Sequence, residues 1–261
     1  MKQPNLSVII ITRNEEHCIV DCLNSVVWCD EIIVVDSGST DDTVMICRQF
    51  TDKIFINTNW QGFGYQKNLA LTKATGKWVL SIDADEQVPK QLRQEIEQVV
   101  NHSELSAFQI PRLSSYCGRL IRHSGWFPDY VIRLFQRDQA SFSNDLVHER
   151  VLVSDNRVGT LKTPFLHNSF TSLEEVLTKV NDYSSANAQM HYEKGKTATL
   201  KKAILHGVWA FIRTYLLRYG FLDGREGFIL AISNAEGTYY RYLKLMYLQE
   251  NGKNKPNNNN L

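Results

Sequence analysis

VLSIDADEQVP (residues 79–89) sets three acidic groups directly after an apolar run. Val79, Leu80 and Ile82 suit a buried strand, and Asp83, Asp85 and Glu86 crowd its carboxyl end. Carboxylates that close repel one another unless cations stand among them. Side chains two apart on an extended segment share a face, so Asp83 and Asp85 can converge on one ligand. Ligation by one or two carboxylates, completed by phosphate and water, suits Mg2+ or Mn2+. A lone D-x-D is weak, because solvated turns carry many. Its place in the chain decides its meaning.

Upstream, strand and helix alternate. LSVIIIT (6–12), EIIVVD (31–36), KIFIN (53–57) and KWVLSID (77–83) read as four strands. Between them Ile19, Cys22, Leu23, Val26 and Val27 fall at helical spacing. SGSTDDT (37–43) supplies a turn and a helix start, YQKNLALTKA (65–74) a helix closed by Gly76, and Pro89 a helix running to Val100. Repeated βα units predict a parallel sheet with helices on both faces and ligands at the strands' carboxyl ends. Asp36 and the Asp83/Asp85 pair both fall at such ends.

Downstream the pattern changes. AFQIPR (107–112), YVIRLFQ (130–136), VHERVLV (147–153) and TLKTPFLH (160–167) read as strands without intervening helices, around a Gly/Arg/Trp-rich loop at 113–128. Helices are expected over 172–194, 198–219 and 226–249, the first with Ser172 and Glu175 in capping-box spacing. A polar end, 251–261, is expected to be disordered.

Composition excludes whole classes. Of 261 residues, 43% are hydrophobic, which is globular rather than disordered. The first residues lead straight into a strand, so no secretory signal is expected. AILHGVWAFI (203–212) falls short of the about twenty residues a spanning helix needs. The five cysteines, Cys18, Cys22, Cys29, Cys47 and Cys117, include no C-x-x-C and no second pair for zinc, so buried thiols in a reducing cytoplasm are expected. From residue 191 on, eleven Lys/Arg face five Asp/Glu, so this tail carries +6 of a total of +1. Its Trp209, Phe211, Tyr215, Tyr219, Tyr239, Tyr240, Tyr242 and Tyr247 are either packing or an interfacial patch. In the second case Lys201, Lys202, Arg213 and Arg218 would face anionic lipid.

The chain has no G-x-G-x-x-G at its first turn and no G-x-x-x-x-G-K-[ST], which argues against a dinucleotide dehydrogenase and a P-loop NTPase. Gln87 stands where a D-x-D phosphatase wants Thr or Val.

SVIIITRNEE (7–16), VVDSGSTDDT (34–43), GYQKNLALTKATGKWVLSIDADE (64–86) and VHE (147–149) together resemble family 2 glycosyltransferases of the GT-A fold. FLHNSF (165–170), Tyr183 and GFLDGREGF (220–228) extend the resemblance to the lipopolysaccharide-core β-glucosyltransferase subgroup (WaaE/KdtX-like). The resemblance implies a nucleotide-sugar half over 1–100, an acceptor-side half of the same domain over 101–171 and a helical extension over 172–250. It implies that Asp36 binds the uracil of a UDP-sugar, with Thr12, Arg13, Asn14 and Glu15 beside it. Asp83 would face the ribose, and Asp85 would ligate Mg2+ or Mn2+ on the diphosphate. Lys67 replaces a usual arginine; it either neutralises phosphate or braces Asp83, without a bidentate fork. His167, at a strand end, is a candidate further metal ligand.

An acceptor hydroxyl needs a base. Asp129, Asp145 and Glu149 compete, with Glu149 favoured by its place in VHE and His148 expected to orient a neighbour or the acceptor. Arg119, Arg122 and Arg133 are expected around the CGRLIRHSGW loop as a grip for acidic groups of a lipid A–core acceptor, with Trp126 stacking on a sugar and Asp129 nearby. The resemblance thus implies an inverting hexosyltransferase, peripheral on the cytoplasmic face of the inner membrane. Its rivals are a sugar-nucleotide pyrophosphorylase, which lacks its Gly-rich loop here, and an inactive binding module.

Overall fold

The computed structural model describes residues 5–143, 149–155 and 157–253. They divide into two compact units, Met1–Leu113 with Pro128–Asn168, and Ser114–Phe127 with Ser169–Leu261.

The first unit begins with the alternation that the apolar runs predict. Its elements are β1 (Leu6–Thr12), α1 (Ile19–Val26), β2 (Glu31–Asp36), α2 (Thr43–Cys47), β3 (Ile54–Ile56), α3 (Phe63–Lys73), β4 (Trp78–Asp83), a two-residue β5 (Glu86–Gln87) and α4 (Lys90–His102). Next in the chain come β6 (Ala107–Tyr116), β7 (Arg119–Leu120), β8 (Asp129–Gln136), β9 (Ala140–Phe142), β10 (Val151–Val153), β11 (Val158–Thr160) and β12 (Phe165–Phe170), of which β7 and the last residues of β6 and β12 fall in the second unit. The main sheet runs β3-β2-β1-β4-β8-β6-β12-β5. β3, β2, β1 and β4 are parallel, and β8 is antiparallel to β4 and β6. Of VHERVLV, only Val151–Val153 is a strand among the described residues, and β6 runs four residues past the expected Arg112.

Alternation along β1 explains the two layers of core. Val8 and Ile10 pack with Ile19 and Leu23 of α1 and Leu92 and Ile96 of α4. Ile9 packs on the other face with Ile33, Val35 and Ala70 of α3. A strand covered on both faces reads as an unbroken apolar run. One buried carboxylate stitches this half together. Glu31 accepts from Ser7 of β1, from Lys53 ahead of β3, and from the N–H and hydroxyl of Thr75 ahead of β4.

The second unit holds α5 (Leu173–Glu193), α6 (Leu200–Ile212), a wide turn of π type at Arg213–Leu217, a 3-10 turn at Gly220–Asp223 and α7 (Gly224–Lys253). Ser172 caps α5 by accepting from the Glu175 N–H at 3.2 Å, while the Glu175 carboxylate takes the Thr171 N–H at 2.8 Å. The helix expected over 198–219 stops at Ile212, and Tyr219 takes a left-handed φ of 56° before Gly220. Asp223, buried, accepts from the N–H groups of Arg122 and His123 and from the Ser124 hydroxyl, each at 3.0 Å. The GFLDGREGF segment is thereby a structural anchor for the 122–124 loop.

Candidate active site

Parallel pairing brings strand ends together: Thr12 lies opposite Asp36, and Ile11 opposite Asp83. Asp36 is buried, and its carboxylate accepts from the Gly38 and Ser39 N–H groups at 2.9 Å and from the Ser39 hydroxyl. Asn14, at φ 57°, donates its N–H to the Ser39 hydroxyl and accepts the Thr40 N–H at 2.8 Å. Glu15 donates its N–H to the Thr43 hydroxyl at 2.8 Å. The Arg13–Asn14–Glu15 turn is thus laced to the SGSTDDT loop, with Arg13 exposed. The buried Thr12 hydroxyl has no hydrogen-bond partner among the described residues.

Cys18 donates its thiol to the Glu15 carboxylate at 3.1 Å, and His17 stands 3.9 Å from that carboxylate. Burial pushes both the Glu15 carboxyl and the Cys18 thiol upward.

At the end of β4 the three acids take different environments. Asp83 receives the Lys67 ammonium at 2.9 Å on one oxygen and the Arg133 guanidinium on the other. Arg133 also donates to Glu86 at 2.8 Å, and Arg112 stands 3.8 Å from the same Glu86 oxygen. Glu86 is fully buried and its second oxygen accepts the Asp83 N–H at 2.9 Å. Burial opposes the charge on Asp83, yet Arg133 and Lys67 outweigh it and hold the carboxyl well below its ordinary range. On Glu86 burial wins, aided by the neighbouring Asp83, and its carboxyl is raised despite Arg133. For two of the three acids, the cations among them are the chain's own Arg133 and Lys67.

Asp85 is the third. Among the described residues it has no Lys or Arg ion pair; its partner is His167, whose Nε2 lies 3.1 Å from Asp85 Oδ2. The pairing of β5 with β12 sets His167 opposite Glu86, and the Asn168 N–H donates to the Asp85 carbonyl at 2.9 Å. Both side chains are partly open, Asp85 33% and His167 15%. An aspartate and a histidine this close offer oxygen and nitrogen ligands of the kind a divalent cation takes.

Lys67 joins this cluster to Glu149, whose carboxylate accepts from it at 2.7 Å. The helix that carries Lys67 comes close because Gly64 has no side chain. A Cβ there would fall 2.0 Å from the Ser143 carbonyl oxygen and 3.6 Å from the Glu149 Cβ. Side-chain bonds therefore link Lys67, Asp83, Arg133, Glu86 and Glu149, while Asp85, two residues beyond the end of β4, pairs with His167. Asp145 and His148 lie outside the described residues.

The residues expected to grip the acceptor are placed otherwise. Arg133 does not belong to the 113–128 loop's surface: it is a buried residue of β8 that neutralises Asp83 and Glu86. Asp129 is engaged by Arg112, whose Nη2 and Nε donate to one oxygen at 2.6 and 3.1 Å. In the second unit Arg119 is 4.0 Å from Glu226, and the Arg122 N–H is held by Asp223. Trp126 packs with Tyr116 and Phe170, at centroid distances of 5.8 and 5.9 Å. Arg112 is the residue that sequence reasoning missed, and Arg133 the one to which it gave another role. The signal was an arginine inside YVIRLFQ, sharing a strand face with Val131 and Phe135, because a charge on a buried face needs a partner.

A model described as "Glycosyl transferase family 2" matches residues 7–154. An uncharacterized glycosyltransferase of Rickettsia typhi (strain ATCC VR-144 / Wilmington) is 34% identical, covering 95% of this chain and 89% of its own. The lipopolysaccharide core biosynthesis glycosyltransferase LpsC of Rhizobium meliloti (strain 1021) is 31% identical over 97% of this chain and 95% of its own. Among solved structures, S. aureus TarS 1–349 in complex with UDP has a TM-score of 0.50 at 19% identity, covering 94% of this chain and 92% of that one. That likeness shows the fold, which is GT-A with C-terminal helices, as the resemblance implied.

Proposed function

Because this chain belongs to glycosyltransferase family 2 and is a glycosyltransferase, we propose that it moves glucose from a UDP-sugar onto a heptose of the lipopolysaccharide inner core. The acceptor reading draws on the likeness to LpsC, which extends over nearly the full length of both chains. The observation that carries the chemistry is the division at β4, with Asp83 neutralised internally and Asp85 left beside His167.

In this reading Asp36 and the buried, unpartnered Thr12 hydroxyl meet the uracil, beside the Arg13–Asn14–Glu15 turn, and Asp83 meets the ribose. Asp85 and His167 hold Mg2+ or Mn2+, which supplies Lewis-acid stabilisation of the charge growing on the diphosphate. Lys67 and Arg133 fix Asp83 so that the strand end keeps its shape whether or not donor is bound. Glu149, held by Lys67, takes the proton of the acceptor hydroxyl. The hydroxyl oxygen bonds to the anomeric carbon as that carbon's bond to the β-phosphate oxygen breaks, and UDP leaves with the electron pair. One in-line displacement turns an α donor into a β product. Asp129, whose bonds from Arg112 fall on one oxygen, is the alternative base. Arg119, Arg122 and Trp126 remain candidate acceptor contacts.

A lipid-linked acceptor places the reaction at the cytoplasmic face of the inner membrane. No helix among the described residues is long and apolar enough to cross a membrane. The test is transfer of label from UDP-glucose, UDP-galactose, UDP-N-acetylglucosamine and GDP-mannose to a soluble heptose-terminated core oligosaccharide. Linkage and anomer are read by NMR. A β-glucosyl product on heptose is expected. Preference for a GDP-sugar would overturn the uracil role of Asp36, and transfer only to another lipid-linked glycan would overturn the heptose acceptor.

A further inference from the structure

Helix α6 is built inside out. A helix of a soluble unit buries its large apolar side chains and shows polar ones to water. Here Ala203, Gly207, Ala210 and the following Thr214 are the buried positions. Leu200, Ile204, Leu205, Val208 and Trp209 are each 48–57% exposed. The small residues let α6 lie against the backbone of α7: a Cβ at Gly207 would stand 3.3 Å from the Ala235 carbonyl oxygen. The exposed apolar run continues past the helix end through Leu216, Leu217, Tyr219, Phe221 and Leu222, each 46–58% exposed. Ring contacts of Phe211, Tyr215, Phe221 and Phe228, at 5.4–6.3 Å, tie that tip to the ends of α6 and α7.

Charge says what covers this face. Between Glu193 and Asp223 the sequence has six Lys/Arg and no Asp/Glu. All six, Lys194, Lys196, Lys201, Lys202, Arg213 and Arg218, are exposed, and none forms an ion pair among the described residues. A second copy of the chain would bring like charges together, whereas an anionic surface would neutralise them. Lys201 lies within the apolar face itself, where a lysine stem can stay among lipid tails while its ammonium reaches the headgroups. At thirteen residues α6 is too short to span a bilayer and suits the interfacial plane.

We propose that residues 200–222, with Phe228, form a face that inserts into the anionic leaflet of a lipid bilayer, held by its apolar side chains and oriented by the cations around them. This deepens the reading that the acceptor is lipid-anchored and rests on it for its biological purpose. Insertion differs from purely electrostatic attachment in one measurable way. Salt screens the cations but leaves apolar burial in place.

The test is flotation of the full chain with phosphatidylethanolamine vesicles, with and without phosphatidylglycerol. Salt is set at about 0.1 M and about 1 M, where the Debye length is about 10 Å and about 3 Å. The protein should prefer the anionic vesicles and stay largely bound at the higher salt. The triple variant Ile204→Ser, Val208→Ser, Trp209→Ser should lose partition about tenfold or more at both salts. The quadruple variant Lys201→Gln, Lys202→Gln, Arg213→Gln, Arg218→Gln should lose the preference for anionic lipid and keep residual binding. Complete release at high salt, a triple variant that floats like the wild type, or no flotation of the wild type would overturn the proposal. So would a lipid-free dimer that the triple variant makes monomeric, which would assign the face to a second copy. Turnover on a soluble core oligosaccharide, run alongside, separates the two readings: it depends on the glucosyltransfer assignment and not on this face.

Discussion

The Nε2 of His167 lies 3.1 Å from the Oδ2 of Asp85, while Asp83, on the same strand end, gives its two oxygens to Lys67 and Arg133. Two acids separated by a single alanine therefore sit in different surroundings: one is neutralised by the chain's own cations, and the other pairs with an imidazole. This division predicts opposite consequences for the residues around them.

Arg133→Met should cost stability before it costs chemistry. It leaves Glu86 fully buried and Asp83 with Lys67 alone. Breaking a buried ion pair from one side costs about 3–5 kcal/mol. Urea unfolding measures it. Arg133→Lys should recover part of the loss, since it restores the charge without the fork that reaches both acids. A loss under about 1 kcal/mol would mean that Asp83 and Glu86 are neutralised by something else.

Glu149→Gln should lower kcat about 10²- to 10⁴-fold, the range for a lost general base. Donor affinity should change little, because the role assigned to Glu149 is toward the acceptor. Steady-state kinetics with UDP binding by calorimetry separates the two. Unchanged turnover would move the base role to Asp145 or Asp129, for which the Asn variants are the comparison.

Glu31 should contribute an acid-sensitive part of the stability. Burial opposes its charge, but bonds from Lys53, Ser7 and Thr75 outweigh this and hold the carboxyl below its ordinary 4.5. The unfolded chain then takes up a proton near that value while the folded chain does not, so stability falls as pH drops through and below it. Glu31→Gln should cost about 1–3 kcal/mol at neutral pH. The gap to the wild type should narrow as pH falls from about 5 to about 3. Thermal unfolding across that range checks the sign; a widening gap would contradict it.

The first half of the fold was legible because buried parallel strands leave continuous apolar runs, and their carboxyl ends stand out when Asp36, Asp83 and Asp85 follow them. How partners reach those acids was not legible: Lys67 and His167 were named only through the resemblance, and Arg133 was given another role. Arg133 arrives from an antiparallel strand fifty residues away, and its place on an apolar strand face signals that it needs a partner without saying which. His167 depends on β5, a two-residue strand too short to leave a pattern. Helix α6 was left open for another reason: apolar and aromatic residues at helical spacing suit either packing or an interface, and only the position of α7 shows that Ala203, Gly207 and Ala210 face inward.

The most direct test of the central claim is Mn2+-dependent binding of UDP, followed by calorimetry and by the EPR signal of free Mn2+. The wild type should bind UDP markedly more tightly with Mn2+ than with EDTA. Asp85→Asn should lose that dependence and keep its fold, and His167→Ala should weaken it, while Arg133→Lys should retain it. If Asp85→Asn still gains full affinity from Mn2+, the metal is held elsewhere and the division between Asp83 and Asp85 has no catalytic meaning.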